Sequence, residues 1–166
     1  MNDQYSRKRR EPCVLFLDDC FDATETPAKL LKAGFYRVES FLAHFRRADG
    51  TKLESVKDPQ VIRLCNRNKW LLVTTDSELR VTHIEEIKKA TDLAILATSH
   101  NSVQDIDIWV DALIRAKAAV EREFKNRQRP WYAQFNRQGK LTTIYTIGAD
   151  HSTRRSRPRE INGPQS

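Results

Sequence analysis

The chain has 166 residues, 39% of them hydrophobic and 31% charged. That is one domain's worth of sequence, able to bury a core, and it excludes a wholly disordered chain. The net charge is +7, with 29 Lys+Arg against 22 Asp+Glu, and a basic excess of this kind favours polyanions such as nucleic acid.

No stretch approaches the roughly 18–20 apolar residues that a membrane span needs. Residues 1–12 hold basic residues but no apolar run of signal-peptide length. The expectation is a cytoplasmic protein without membrane contact. Cys13, Cys20 and Cys65 form no CxxC and no Cys/His metal spacing, which suits three reduced thiols. The charge is uneven. Residues 1–12 carry a net +2, residues 148–166 another +2, and the remaining 13–147 only +3. Both ends are polar and expected to be flexible, because they cannot bury enough surface to offset the entropy of ordering. The division is therefore a basic N-terminus (1–12), one α/β domain (13–147) and a disordered basic tail (148–166).

Within the domain, strands and helices alternate. Cys13–Leu17 is a short apolar run suited to a strand buried on both faces. A helix follows from about Pro27, with Thr26 as its N-cap and Gly34 just past its end. Phe35–Phe41 predicts a second strand, and residues 42–57 read as irregular. Asp58-Pro59 opens a helix to about Asn68. Trp70–Thr74 is a buried strand, His83–Ala90 a short helix and Leu93–Ala97 a fourth strand. A long helix runs from about Val103 to Arg127, started by a capping-box pair, Ser102 and Asp105. Trp131–Phe135 and Leu141–Ile147 predict an antiparallel hairpin around a Gly-containing turn, appended at one edge. The alternation predicts a three-layer α/β sandwich with a central, mainly parallel sheet.

Acidic residues fall where such a sheet gathers ligands. Asp18 and Asp19 follow the first strand, Asp76 follows Trp70–Thr74, and Asp58 opens the helix before that strand. In open parallel sheets the ligand crevice lies beyond the carboxyl ends of the strands. Carboxylates gathered there repel unless a cation neutralises them. A hard divalent ion such as Mg2+ needs only one or two direct carboxylates plus water, and can activate a water against a phosphodiester. Purely structural roles stand beside this one. Asp58 suits an N-cap, Thr75 to Glu78 has capping-box spacing, and Asp18, Asp19 and Asp76 suit turns. Asp22 and Glu25 read as solvated acids near a helix start.

The segments FLDDCF (16–21), LLKAGF (30–35) and KDPQVIRLCNRNKWLLVTTDSEL (57–79) resemble PIN-like domains, and among them the proteins related to VapC toxins. The shared pattern is Leu17-Asp18, Gly34, Asp58 and Thr74-Thr75-Asp76, over roughly residues 13–97. The resemblance implies a three-layer PIN-like α/β fold. It implies a Mg2+ or Mn2+ site and an endoribonuclease, often the toxin of a toxin–antitoxin pair with a cognate antitoxin protein as partner. By matching position, Asp18, Asp58 and Asp76 are the catalytic and metal-binding acids. Glu78 and Asp19 are further metal candidates. Many members carry another acid on an early helix, for which Glu39 and Glu54 are the candidates here. The long helix and hairpin lie outside the shared pattern and are candidate surfaces for a homodimer or for the antitoxin.

Two other readings compete. Acids after two strands, with Thr98 and Ser99 after a later one, also suit a receiver-like signalling domain. A PIN-like fold without activity would serve as an RNA- or protein-binding module. Arg127, Arg129, Arg137 and Lys140 surround Trp131, Tyr132 and Phe135, and form the candidate RNA-binding set. The alternative for these aromatics is packing of the hairpin onto the core. The arginines of the tail, Arg154, Arg155, Arg157 and Arg159, read as a solvated end or as an RNA tether. The four histidines, His44, His83, His100 and His151, show no metal spacing and read as ordinary surface or core residues.

Overall fold

The computed structural model describes residues 11–21, 25–46, 49–50, 58–100 and 106–147. The expectations for Asp22, Glu54, Ser102, Asp105, His151, the tail arginines and most of the N-terminal segment lie outside these residues. Six strands form one sheet: β1 (Val14–Leu17), β2 (Arg37–Ser40), β3 (Leu71–Thr74), β4 (Ala94–Thr98), β5 (Trp131–Phe135) and β6 (Leu141–Thr146). Their order is β2-β1-β3-β4-β5-β6. The first five run parallel, and β6 alone is antiparallel, at the edge beside β5. The hairpin is thus no appendage: β5 extends the parallel sheet through pairing with β4.

The helices are α1 (Thr26–Lys32), α2 (Phe41–His44), α3 (Asp58–Asn68), α4 (Leu79–Thr82), α5 (Ile84–Lys89) and α6 (Ile106–Asn126). Side chains alternate across each strand, so the sheet carries two separate cores. On one face Leu15, Leu17, Leu71, Val73, Ala94 and Leu96 pack against Leu30 of α1 and the Trp109, Leu113 and Val120 stripe of α6. On the other, Phe16, Leu72, Ile95 and Tyr132 pack against Val61, Ile62 and Cys65 of α3 and Ile87 of α5. This is the three-layer sandwich. Burying each large apolar side chain contributes about 1.5–3 kcal/mol, which is why apolar runs of only four or five residues suffice as central strands.

Several local expectations shift. α1 begins at Thr26, whose side chain is buried, and Glu25 takes the cap position with no side-chain cap bond. Its other end behaves as expected. Gly34 has φ +101°, Gly34 N–H donates to Leu31 O and Phe35 N–H donates to Leu30 O, closing the helix with two bonds. The second strand stops at Ser40, whose hydroxyl accepts from Ala43 N–H at 3.1 Å and starts the short α2. α3 ends the way α1 does, but with Lys69 in the left-handed position at φ +59°.

Three successive connections share a hand. β1 to β2 steps one way across the sheet with α1 on the first face. β2 to β3 and β3 to β4 step the other way with α3 and α5 on the second face. β4 to β5 keeps that direction, yet α6 lies on the first face beside α1, so this crossover has the opposite hand. The chain therefore leaves β1 and β3 toward opposite faces. That divergence opens a crevice between their carboxyl ends. No helix among the described residues is long and apolar enough to cross a membrane.

Candidate active site

The crevice between β1 and β3 is built on hydrogen bonds around Asp18. β1 ends at Leu17, and Asp18 N–H still donates to Val73 O at 2.9 Å, holding its backbone in the ladder. Its side chain then accepts twice. Asp19 N–H donates to Oδ1 at 2.8 Å and the Thr74 hydroxyl donates to Oδ2 at 2.8 Å. The same Thr74 oxygen accepts from Asp76 N–H at 3.0 Å. One hydroxyl at the end of β3 thus ties the two acidic loops together.

Asp18 is partly buried, and that burial pushes its carboxyl above the ordinary aspartate value. The bonds from Asp19 N–H and Thr74 oppose the rise, while the charges of Asp58 and Asp19 add to it. Asp58, in the first turn of α3, is therefore close enough to act on Asp18, forty residues away in sequence. The same field reaches Cys65 of α3, where burial and then the charge of Asp18 raise the thiol well above its usual value.

Asp58 has a second neighbour. His83, between α4 and α5, places Nε2 at 3.1 Å from Asp58 Oδ2. Nothing local in the sequence marks His83 for this role, since twenty-five positions separate the pair. Thr74 also gained no role from sequence, although its place in the Thr-Thr-Asp run was a signal. Beside it, Thr98 at the end of β4 donates to Thr75 O at 3.2 Å and braces the loop from the other side.

Asp76 sits at the carboxyl end of β3 as expected, but its Oδ1 accepts from Glu78 N–H at 2.9 Å and shapes the turn into α4. The capping-box expectation changes accordingly. Asp76 supplies the oxygen, and Glu78 occupies the cap position of α4 with no side-chain cap bond. Glu78 is exposed, and no contact joins its carboxylate to Asp18 or Asp58 among the described residues. Glu39 is spent elsewhere. Its carboxylate bonds Arg37 and His44 on β2 and α2, and although burial works the other way, these partners hold its pKa below the ordinary value.

The donor set at Asp18 and Asp58 is hard oxygen, and a buried Asp18 whose proton affinity is raised in part by the charge of Asp58 is chemically matched to a divalent cation with water as the remaining ligands. Among the described residues, no three His, Cys, Asp or Glu side chains are arranged as a metal-holding group. Asp18 and Asp58 are the residues that would take direct contact.

The basic candidates divide. Arg129 does not face RNA, contrary to expectation: it is 5% exposed, donates to Asp92 O and Phe124 O at 3.2 Å each, and stacks on the Phe124 ring. Arg127 pairs with Glu123 one helical turn back at 2.9 Å. Trp131, Tyr132 and Phe135 are buried, which settles them as packing residues. Arg137 and Lys140 stay exposed on the β5–β6 turn.

No family model, curated protein or solved structure matches the chain.

Proposed function

We propose that the chain is a metal-dependent endoribonuclease of the PIN-like type, working at the β1/β3 crevice. The observation that carries this reading is the partly buried Asp18, with Asp58 and Asp19 adding negative charge around it and Thr74 linking it to the Asp76 loop. A Mg2+ or Mn2+ ion would lower the pKa of a bound water and offset phosphate charge. The chain's own groups do the rest. Thr74 and Asp19 N–H orient the Asp18 carboxylate, His83 steadies Asp58, and Asp76 holds the rim of the crevice through its turn. The basic balance of the chain draws RNA to it. The VapC-like resemblance extends the proposal to a cytoplasmic toxin held by an antitoxin protein.

The test is cleavage of single-stranded and structured RNAs with Mg2+, Mn2+ or EDTA. Wild type is compared with Asp18→Asn, Asp58→Asn and Asp76→Asn. Losing the metal's contribution of several kcal/mol predicts a drop of about 10³-fold for Asp18→Asn. Cleavage that survives Asp18→Asn and Asp58→Asn sinks the site. Binding without cleavage under any metal makes the protein an RNA-binding module.

A receiver-like reading gains one observation, the doubly wound order β2-β1-β3-β4-β5. Against it, α6 crosses on the α1 face, and β5 ends in Gln134-Phe135, followed by Asn136, with no lysine there. Phosphorylation of Asp76 by a small acyl phosphate, with no RNA cleavage, would favour it.

A further inference from the structure

The sheet register brings a second charged group to the edge that holds the acids. Leu17, Val73, Leu96 and Ala133 lie side by side across β1, β3, β4 and β5. The loops that follow these strands therefore emerge together: Asp18 after β1, Asp76 after β3, His100 after β4 and Arg137 after β5. Three strand intervals at about 4.8 Å separate β1 from β5, roughly 14 Å. At the far side stands a cationic cluster. Arg137 lies over the Trp109 ring at 5.9 Å, with Nη2 at 3.5 Å from His100 Nε2. His100 itself meets Trp109 edge-on at 5.2 Å, and Arg115 donates to the Arg137 carbonyl at 3.1 Å. Neither Arg115 nor Lys140 has an ion pair among the described residues.

The turn is held rigidly. Asn136 Oδ1 accepts from the N–H groups of Gln138 and Lys140 at 3.0 Å each. Gly139, at φ +80°, sits so close to α6 that a Cβ would lie 2.5 Å from the Cβ of Arg115 and 2.7 Å from Ala112 O. The backbone that carries Arg137 and Lys140 is thus held against α6.

We infer that His100, Arg115, Arg137 and Lys140 form a phosphate-binding subsite for the RNA strand flanking the scissile bond. The inference rests on the nuclease reading of the crevice. The RNA backbone would cross the carboxyl edge of the sheet, with its reacting phosphate over Asp18 and a neighbouring stretch over the hairpin tip. Trp109 is fully buried and offers no face for base stacking, so the contact is to phosphate and independent of sequence.

The test uses the full chain carrying Asp18→Asn and a fluorescent single-stranded RNA, with affinity followed by anisotropy across a salt series. Arg137→Ala and Lys140→Ala are each expected to flatten the dependence of log affinity on log salt by about 0.7, the value for one lost phosphate contact on a single strand. Lys125→Ala, exposed at the opposite end of α6, is expected to leave it unchanged. Circular dichroism checks that each variant is folded. No RNA binding by the Asp18→Asn chain, no flattening in either tip variant, or equal flattening in Lys125→Ala would each overturn the subsite. Cleavage separates the two levels. Flattening in the tip variants with no cleavage by wild type defeats the nuclease reading and leaves the subsite standing. Wild-type cleavage with KM unmoved in both tip variants defeats the subsite alone.

Discussion

The two edges of the parallel sheet treat similar residues in opposite ways. At the amino edge, Arg129 is sealed under β5 by two carbonyls and a phenyl ring, and Arg127 is matched to Glu123. At the carboxyl edge, eight residues after Arg129, Arg137 stands exposed on a turn beside His100, on the same sheet edge as the loops that carry Asp18 and Asp76. β5 is the reason. Its five residues span roughly 17 Å at about 3.3 Å each, enough to send the charges before it and after it to different ends of the molecule. Arg127 and Arg129 at the amino edge are taken up in the fold, whereas Arg137 at the carboxyl edge stays exposed.

That contrast can be broken most severely at Arg129. Arg129→Ala leaves two carbonyls without their donor and empties a buried stack, at an expected cost of about 2–4 kcal/mol in urea unfolding. RNA affinity at constant folded fraction should stay the same. A weaker salt dependence in this variant would show that the amino edge also meets RNA.

Gly139→Ala probes the other edge. The added methyl meets Arg115 and the Ala112 carbonyl, and φ +80° is unfavourable for alanine, so the loss should be on the order of 2–3 kcal/mol. Unlike Arg129→Ala, it should also weaken RNA binding, because the tip must lift off α6. An unfolding midpoint equal to wild type would refute the tight docking.

Asp18 gives a pH signature in metal-free protein. Its pKa is raised in the folded state by burial and by Asp58 and Asp19. Between the ordinary aspartate value and the raised one, the folded chain therefore holds a proton that the unfolded chain has released. Stability from this group is present below the ordinary aspartate value and is lost as pH rises through the raised one. Unfolding in EDTA should show this decline, and Asp18→Asn should abolish it. Adding Mg2+ should restore stability at neutral pH if the ion binds there.

The smallest effect belongs to Lys69, which closes α3 in a left-handed conformation at φ +59°. Lys69→Gly should raise stability by about 0.5–1 kcal/mol, after the added entropy of the unfolded chain is set against the relieved strain. Its exposed pair with Glu11 contributes little. No gain on thermal unfolding would mean that the conformation is unstrained.

Much of the layout was legible without coordinates. The apolar runs at 13–17, 70–74 and 93–97 suited strands buried on both faces, and Gly34 marked a helix end by its conformational freedom. Asp18 and Asp76 could be placed at strand ends because strands end where apolar runs end. Sequence misjudged Thr26, which is buried instead of capping, and Arg129, which looked like a surface base. Nothing local distinguishes Arg129 from Arg137. Nor does spacing mark His83 beside Asp58, because a contact across twenty-five residues depends on how α3 and α4 meet.

By itself, then, the sequence determined the six strands and the longer helices, though not the four-residue helices α2 and α4, and that acids follow two of the strands. These are local matters, set by side-chain periodicity and by the chemistry of helix ends. The tertiary structure decided which strand ends adjoin, that α6 crosses on the α1 face, and that the hairpin tip shares an edge with Asp18 while Arg129 does not. Those outcomes depend on sheet order and crossover hand, and chain segments far apart in sequence settle both together.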